Sequence, residues 1–266
     1  MRKLLNHNIK AGIIITALIL ILIFVSIFWT PYDPDAMSSA KLQGLSLSHP
    51  FGTDNFGRDI LSRVLEGAGS TLLIAALTVA IGVVFGTLAG GLTGYYGGWI
   101  DEILMRINDV ITAFPSILLA LVLISLTGPG KYNVILALGI LFIPSFARIV
   151  RSEVVKCRSL DYVKSAKLMG ISDMRILFVH ILPNAFPVML SSIAIGFNNA
   201  VLAEASMSFL GIGVMPPDAS LGRMLYEAQT YLFSAPWYAV SAGVMIILLI
   251  LGFSLIGYGL EAANDA

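Results

Sequence analysis

The sequence is poor in charge, in cysteine and in histidine. Only 12% of its 266 residues are Asp, Glu, Lys or Arg, about half the usual share in a soluble domain. A water-facing surface of ordinary size cannot be built from so few. The single cysteine, Cys157, excludes an internal disulfide and a cysteine metal cluster. His7, His49 and His180 stand far apart, and none has the His-x-x-x-His spacing of a helical metal pair. They read as surface or interface residues. Formal net charge is zero, so charge balance gives no footprint for nucleic acid. A phosphate-cradling loop is missing as well. The only Gly-Lys pair, Gly130-Lys131, runs into Tyr132 and has no glycine five residues before Gly130. If a nucleotide acts on this protein, another chain binds it.

Apolar residues fill the space that charge leaves. They make up 57% of the chain, and its mean hydropathy is +0.88. A soluble core of this size would leave a large apolar patch exposed, whereas a bilayer accommodates it. The predicted fold class is therefore all-α, a polytopic membrane protein. Six apolar stretches reach spanning length: Gly12 to Trp29, Thr71 to Leu92, Ile103 to Leu126, Val134 to Val150, Ala185 to Ala203, and Tyr238 to Tyr258. Each has roughly 17 to 24 residues, enough for a hydrocarbon core of about 30 Å at about 1.5 Å rise per residue. The first run is longer than a signal-peptide core. The small residues Ser38-Ser39-Ala40 lie well past its end, so it reads as an uncleaved anchor.

The excess of Lys and Arg on one side orients the chain. With the N-terminus inside, the cytoplasmic side holds Arg2, Lys3, Lys10, Arg106 and seven basic residues between Arg148 and Arg175. The outside keeps Lys41, Arg58, Arg63, Lys131 and Arg223, so the count is eleven against five. Both termini are then cytoplasmic, and Cys157 lies where thiols stay reduced.

One polar segment interrupts the apolar pattern between the fourth and fifth spans. Asp161 is a predicted N-cap for a helix of about two turns, and Gly170 suits the left-handed residue that follows a helix. Val163, Ala166 and Met169 share a face, with Tyr162 beside them. Ser172 or Asp173 caps a second helix through His180, and Pro183 ends or kinks it. So short a helix needs something to pack on. That is either the membrane surface or a docked cytoplasmic partner.

Lys164-Ser165-Ala166, then Gly170, then Leu182-Pro183 resembles the loop signature of ABC-transporter permeases, which begins Glu-Ala-Ala and continues to a glycine and a Leu-Pro pair. Lys164 and Ser165 replace the Glu and the first Ala. Further stretches resemble the dipeptide, oligopeptide and nickel importer branch. They are His49-Pro50-Phe51-Gly52-Thr53-Asp54, Gly57 to Arg63, His180 to Asn184, Glu204 to Gly213 with Pro216-Pro217, and Ser234-Ala235-Pro236-Trp237. Tyr258 stands where that family often has Asp. The resemblance implies a transport permease of a bacterial or archaeal inner membrane, with a coupling helix at Asp161 to Gly170 that sits in a cleft of an ATPase subunit. On it, residues 1–30 form the N-terminal end and first span, and 31–70 an extracytoplasmic segment. Residues 71–266 form a five-helix core whose coupling loop is 151–183. The implied partners are two ATPase subunits that bind ATP and Mg, a second, related permease, an external substrate-binding protein, and membrane lipid. No cofactor is expected in this chain, and the implied cargo is a peptide or a nickel or metal chelate.

Other residues carry weaker signals. Arg106 and Asp109 stand three apart on one helical face, as a gate element or an interfacial ion pair. Asn198, Asn199 and Glu204 are candidates for the pathway. Pro115 and Pro144 are expected to kink their spans. Gly82, Gly86 and Gly90 repeat at four and make a smooth strip for close packing, within the chain or against a second permease. A stand-alone secondary transporter would instead call for internal repeats and mid-membrane charges, and an intramembrane enzyme for a catalytic pair within the spans. The sequence carries neither.

Overall fold

The computed structural model describes residues 7–264. Arg2 and Lys3 of the basic start, and the last two residues of the acidic tail, lie outside the described residues. In chain order the helices are α1 (His7–Phe28), α2 (Ile60–Tyr96), α3 (Gly98–Thr112), α4 (Ser116–Thr127), α5 (Lys131–Arg158) and α6 (Asp161–Leu168). Next come α7 (Asp173–Arg175), a π-helical turn (Ile176–Ile181), α8 (Leu182–Phe209), α9 (Leu221–Ala228) and α10 (Pro236–Asn264). No strand occurs among the described residues.

Five stretches are long and apolar enough to cross a membrane: α1, α2, α5, the run from α7 through α8, and α10. The third predicted span is different. It is two helices, α3 and α4, that meet at 89°. Pro115 is the cause. It has no N–H to donate and disfavours helical geometry at the residue before it. Helix α3 ends at Thr112, where the Ala113 amide donates to Asp109, and α4 restarts after Pro115. Pro144, by contrast, lies inside α5 without ending it.

The glycine strip of α2 packs within the chain, against α5. A Cβ at Gly86 would stand 2.6 Å from that of Phe146, and one at Gly90 or Gly94 would strike the α5 backbone. Missing side chains thus let the two helix axes approach closely. Helix α1 lies along α10 in a similar way, with Gly12 against the backbone at Gly252. Helix α2 begins at Ile60, earlier than the predicted Thr71, so the irregular segment between α1 and α2 is 29–59.

Candidate functional site

Helix α6 follows α5 after a two-residue turn and ends at Gly170, whose φ of +75° is the left-handed conformation expected there. Its two faces differ sharply. Val163 and Ala166 are 1% and 2% exposed and pack on the chain itself, among Tyr95, Cys157 and Ile176. The face assigned to a partner on sequence grounds is therefore divided. Val163 and Ala166 seat the helix, while Leu168 (89% exposed) and Met169 (72%) project from it. Tyr162 lies at the edge and accepts from Asn184 Nδ2 at 3.3 Å. Burial raises its phenol above the ordinary range, against that hydrogen bond. Leu168 was missed in the sequence. Asp161, Lys164 and Leu168 at i, i+3 and i+7 form a stripe opposite Val163 and Ala166, and that spacing was the available signal.

Asp161 is not the N-cap. Leu160 holds that position without a side-chain bond, and Asp161 is the first helical residue, its carboxylate 2.9 Å from Lys164 Nζ. A carboxylate in the first turn still suits the positive end of the helix. Of the two cap candidates for the next helix, Ser172 holds the N-cap position without a side-chain bond, and Asp173, the first helical residue, accepts from the Tyr95 hydroxyl at the end of α2. Arg158 Nη1 donates to the Tyr95 carbonyl at 2.8 Å, and Lys167 Nζ stands 5.0 Å from the centre of the Tyr95 ring. Tyr95 thus pins the seat of α6 to α2. Pro183 does not end the following helix. It stands at the start of α8, after a π turn in which the Leu182 amide reaches back five residues to the Leu177 carbonyl. The wider turn shifts the bonding register just where Pro183 cannot donate. Helix α6 is therefore joined to long helices on both sides, α5 before it and α8 after it.

The other candidates scatter. Asp109 meets Arg148 of α5 at 2.9 Å rather than Arg106, because the Arg148 guanidinium reaches Asp109 and Thr112 together. Three residues on, Arg151 binds Asp101 with two bonds of 2.6 Å. Glu204 is fully buried, accepting from Thr71 at 2.9 Å and Ser208 at 2.7 Å. Asn198 is buried too and meets the Ser254 hydroxyl of α10 at 2.8 Å. These two tie helices together. Asn199, the next residue, is exposed and lines a cavity of about 370 Å³ between α4, α5 and α8. Ser116, Ser145 and Ser192 share the wall with Phe142 and Ile195, and among the described residues no charged one lines it. Such a surface offers hydroxyl and amide groups beside apolar side chains.

Segment 29–59 ends in a buried polar lattice. Asp54 accepts from the amides of Phe56 (2.8 Å) and Arg58 (2.9 Å) and from Arg58 Nε (2.6 Å). Arg58 continues to Glu227 at 3.0 Å, and Glu227 also accepts from Arg223 and Tyr238 at 3.0 Å each. Burial works against the charge of Arg58, but Asp54 and Glu227 outweigh it and hold its pKa above the ordinary value. Asp59 is the N-cap of α2, accepting from the Ser62 amide at 2.8 Å, and is 2.8 Å from His49 Nδ1. Gly52, with φ +74°, leaves room for the indole of Trp237. Two stretches far apart in sequence, His49 to Asp54 and Ser234 to Trp237, thereby meet.

The family described as binding-protein-dependent transport system inner membrane component matches residues 82–265. A dipeptide transport system permease protein of Alkalihalophilus pseudofirmus is 41% identical over 253 residues, 95% of this chain and 83% of that protein. A glutathione transport system permease protein of Pectobacterium atrosepticum is 38% identical over 271 residues, covering 99% and 90%. Among solved structures, a chain of the MetNI methionine ABC transporter in an inward-facing conformation superposes with a TM-score of 0.63 at 20% identity. The match covers 75% of this chain and 95% of that one, a likeness of fold.

Proposed function

Because the chain belongs to the family of binding-protein-dependent transport system inner membrane components, and so is a permease subunit of an ABC importer, we propose that it passes short peptides and is driven through α6. It makes and breaks no bond itself. Counting α3 and α4 as one broken span gives six crossings, with both termini and α6 on the cytoplasmic side and segment 29–59 outside. Two ATPase subunits bind ATP and Mg, a second, related permease completes the pathway, and an external binding protein delivers the cargo. The relatives named for dipeptides and glutathione support a peptide, as does the uncharged wall of serines with Asn199. A chelated metal is the alternative cargo.

One observation carries the coupling role. Helix α6 is seated by Val163 and Ala166, yet it holds Leu168 and Met169 away from the chain. Exposed apolar residues on a firmly seated helix call for a partner surface. ATP closure of the ATPase pair then moves α6 as a rigid body together with α5 and α8. The test is a single cysteine at Leu168 in a Cys157→Ser background, paired with a cysteine in the cleft of the co-expressed ATPase. A disulfide whose yield changes with ATP is the expected outcome. No cross-link from 168 or 169 in a folded complex would make α6 a membrane-surface helix and remove the mechanical link.

A further inference from the structure

Between α1 and α2 lies a cavity of about 740 Å³, near the end of the bundle that holds segment 29–59. Ile23 of α1 and Leu72, Leu73 and Ala76 of α2 form its apolar depth, while Trp29, Glu66 and Lys131 border it toward the helix ends. Glu66 and Ala76 are ten residues apart on one helix, about 15 Å along the axis. The cavity is thus polar at one end and apolar at the other, with the exposed Trp29, a ring of the kind enriched at membrane interfaces, just past the end of α1.

Neither of its two charges is held in a close ion pair. Among the described residues neither Glu66 nor Lys131 forms an ion pair, and one Glu66 carboxylate oxygen is buried without a hydrogen-bond partner. Arg63, the nearby cation, is taken by Asp35 at 3.1 Å. Asp35 and Asp218 place negative charge around Glu66, and Arg63 and Lys131 place positive charge there, neither cation within ion-pair distance of its carboxylate. The site needs a ligand that brings a hydrogen-bonding cation to Glu66, an anion to Lys131 and a hydrocarbon chain to the depth.

We propose that this cavity holds one phospholipid with an ethanolamine headgroup, its ammonium on Glu66, its phosphate on Lys131 and an acyl chain along Leu72, Leu73 and Ala76. It rests on the membrane topology given above, not on the cargo, and it makes the lipid part of the joint between α1 and the core. A glycerol headgroup offers Glu66 no cation. A choline headgroup offers a cation with no N–H to donate.

To test this, the purified importer complex is delipidated in detergent and titrated with phosphatidylethanolamine, phosphatidylglycerol or phosphatidylcholine. Bound lipid is counted by native mass spectrometry. One ethanolamine lipid per chain should bind about tenfold more tightly than the other two, the worth of one charge-assisted hydrogen bond. Glu66→Gln should erase most of that preference, whereas Lys131→Ala should weaken binding of all three lipids alike, because each carries the phosphate. A photoactivatable ethanolamine lipid, used on the unaltered complex, should label 23–30 and 65–76. Equal binding of the three lipids, a preference untouched by Glu66→Gln, affinity for all three untouched by Lys131→Ala, or labelling confined to other helices would overturn the proposal. So would a disulfide from Gly69→Cys to a helix of the second permease, because that chain would then fill the groove.

Discussion

At the end of the bundle that holds segment 29–59, the side chains of Asp54, Arg58 and Arg63 are 0%, 6% and 1% exposed, and Asp54 and Arg58 have several partners each. At the end that holds α6, Arg148 and Asp109 are 49% and 58% exposed, and Arg151 and Asp101 are 38% and 21%. Both ends use arginine and aspartate. A buried charge persists only when its donors or lone pairs are used, so losing one partner strands the rest. An exposed pair exchanges its bonds for water at little cost. The first end is built to hold its shape. At the second, α3 is tied to α5 by contacts that water can replace, which suits a bundle that must change conformation.

The largest effect is expected at Asp54. Asp54→Asn leaves Arg58 and Arg63 facing a neutral amide in a buried site, a loss of about 3–5 kcal/mol. Thermal unfolding of the purified chain in detergent measures it. A loss below about 1 kcal/mol would put this lattice on a level with the exposed pairs and erase the contrast between the ends.

Much of this contrast lay beyond sequence reading. Composition and apolar run length revealed a helical chain and its long apolar helices. The turn at Gly170 was legible because a left-handed residue after a helix has few alternatives to glycine. The stretches His49 to Arg63 and Glu204 to Gly213 were legible as family marks but not as structures. Their work depends on partners far along the chain: Glu227 for Arg58, Thr71 for Glu204. The same limit misplaced Asp109, since a partner three residues away is visible in sequence and Arg148 on another helix is not. Pro115 was expected to kink a span, but no local signal distinguishes a kink from an 89° break. For α6 the period located the face. It could not say whether that face meets the chain or a partner.

A smaller, local effect is expected at Asp101. Its two bonds to Arg151 join the start of α3 to the half of α5 nearest α6. Asp101→Asn should change global stability by about 1 kcal/mol or less. It should nonetheless raise amide hydrogen exchange across 98–112 while leaving 131–158 protected, because local opening is freed without global unfolding. If exchange rose equally in both helices, the pair would belong to the rigid part of the molecule, and α3 would not be separable from α5.

The smallest effect on the isolated chain is expected at Leu168, and that is its use. Its neighbours Val163 and Ala166 belong to the buried cluster, while Leu168 itself is largely exposed. Leu168→Ala should therefore shift the unfolding of the free chain by no more than about 0.5 kcal/mol, as for an ordinary surface substitution. The same variant should lower the yield of ATPase recovered with the tagged permease, because an exposed leucine buried on docking contributes about 1.5–3 kcal/mol. The two measurements together separate a residue that serves the fold from one that serves the complex. A large shift in the free chain would mean that Leu168 packs on its own protein. With no loss of ATPase recovery, the partner surface would have to lie elsewhere on α6, with Met169 as the next residue to change.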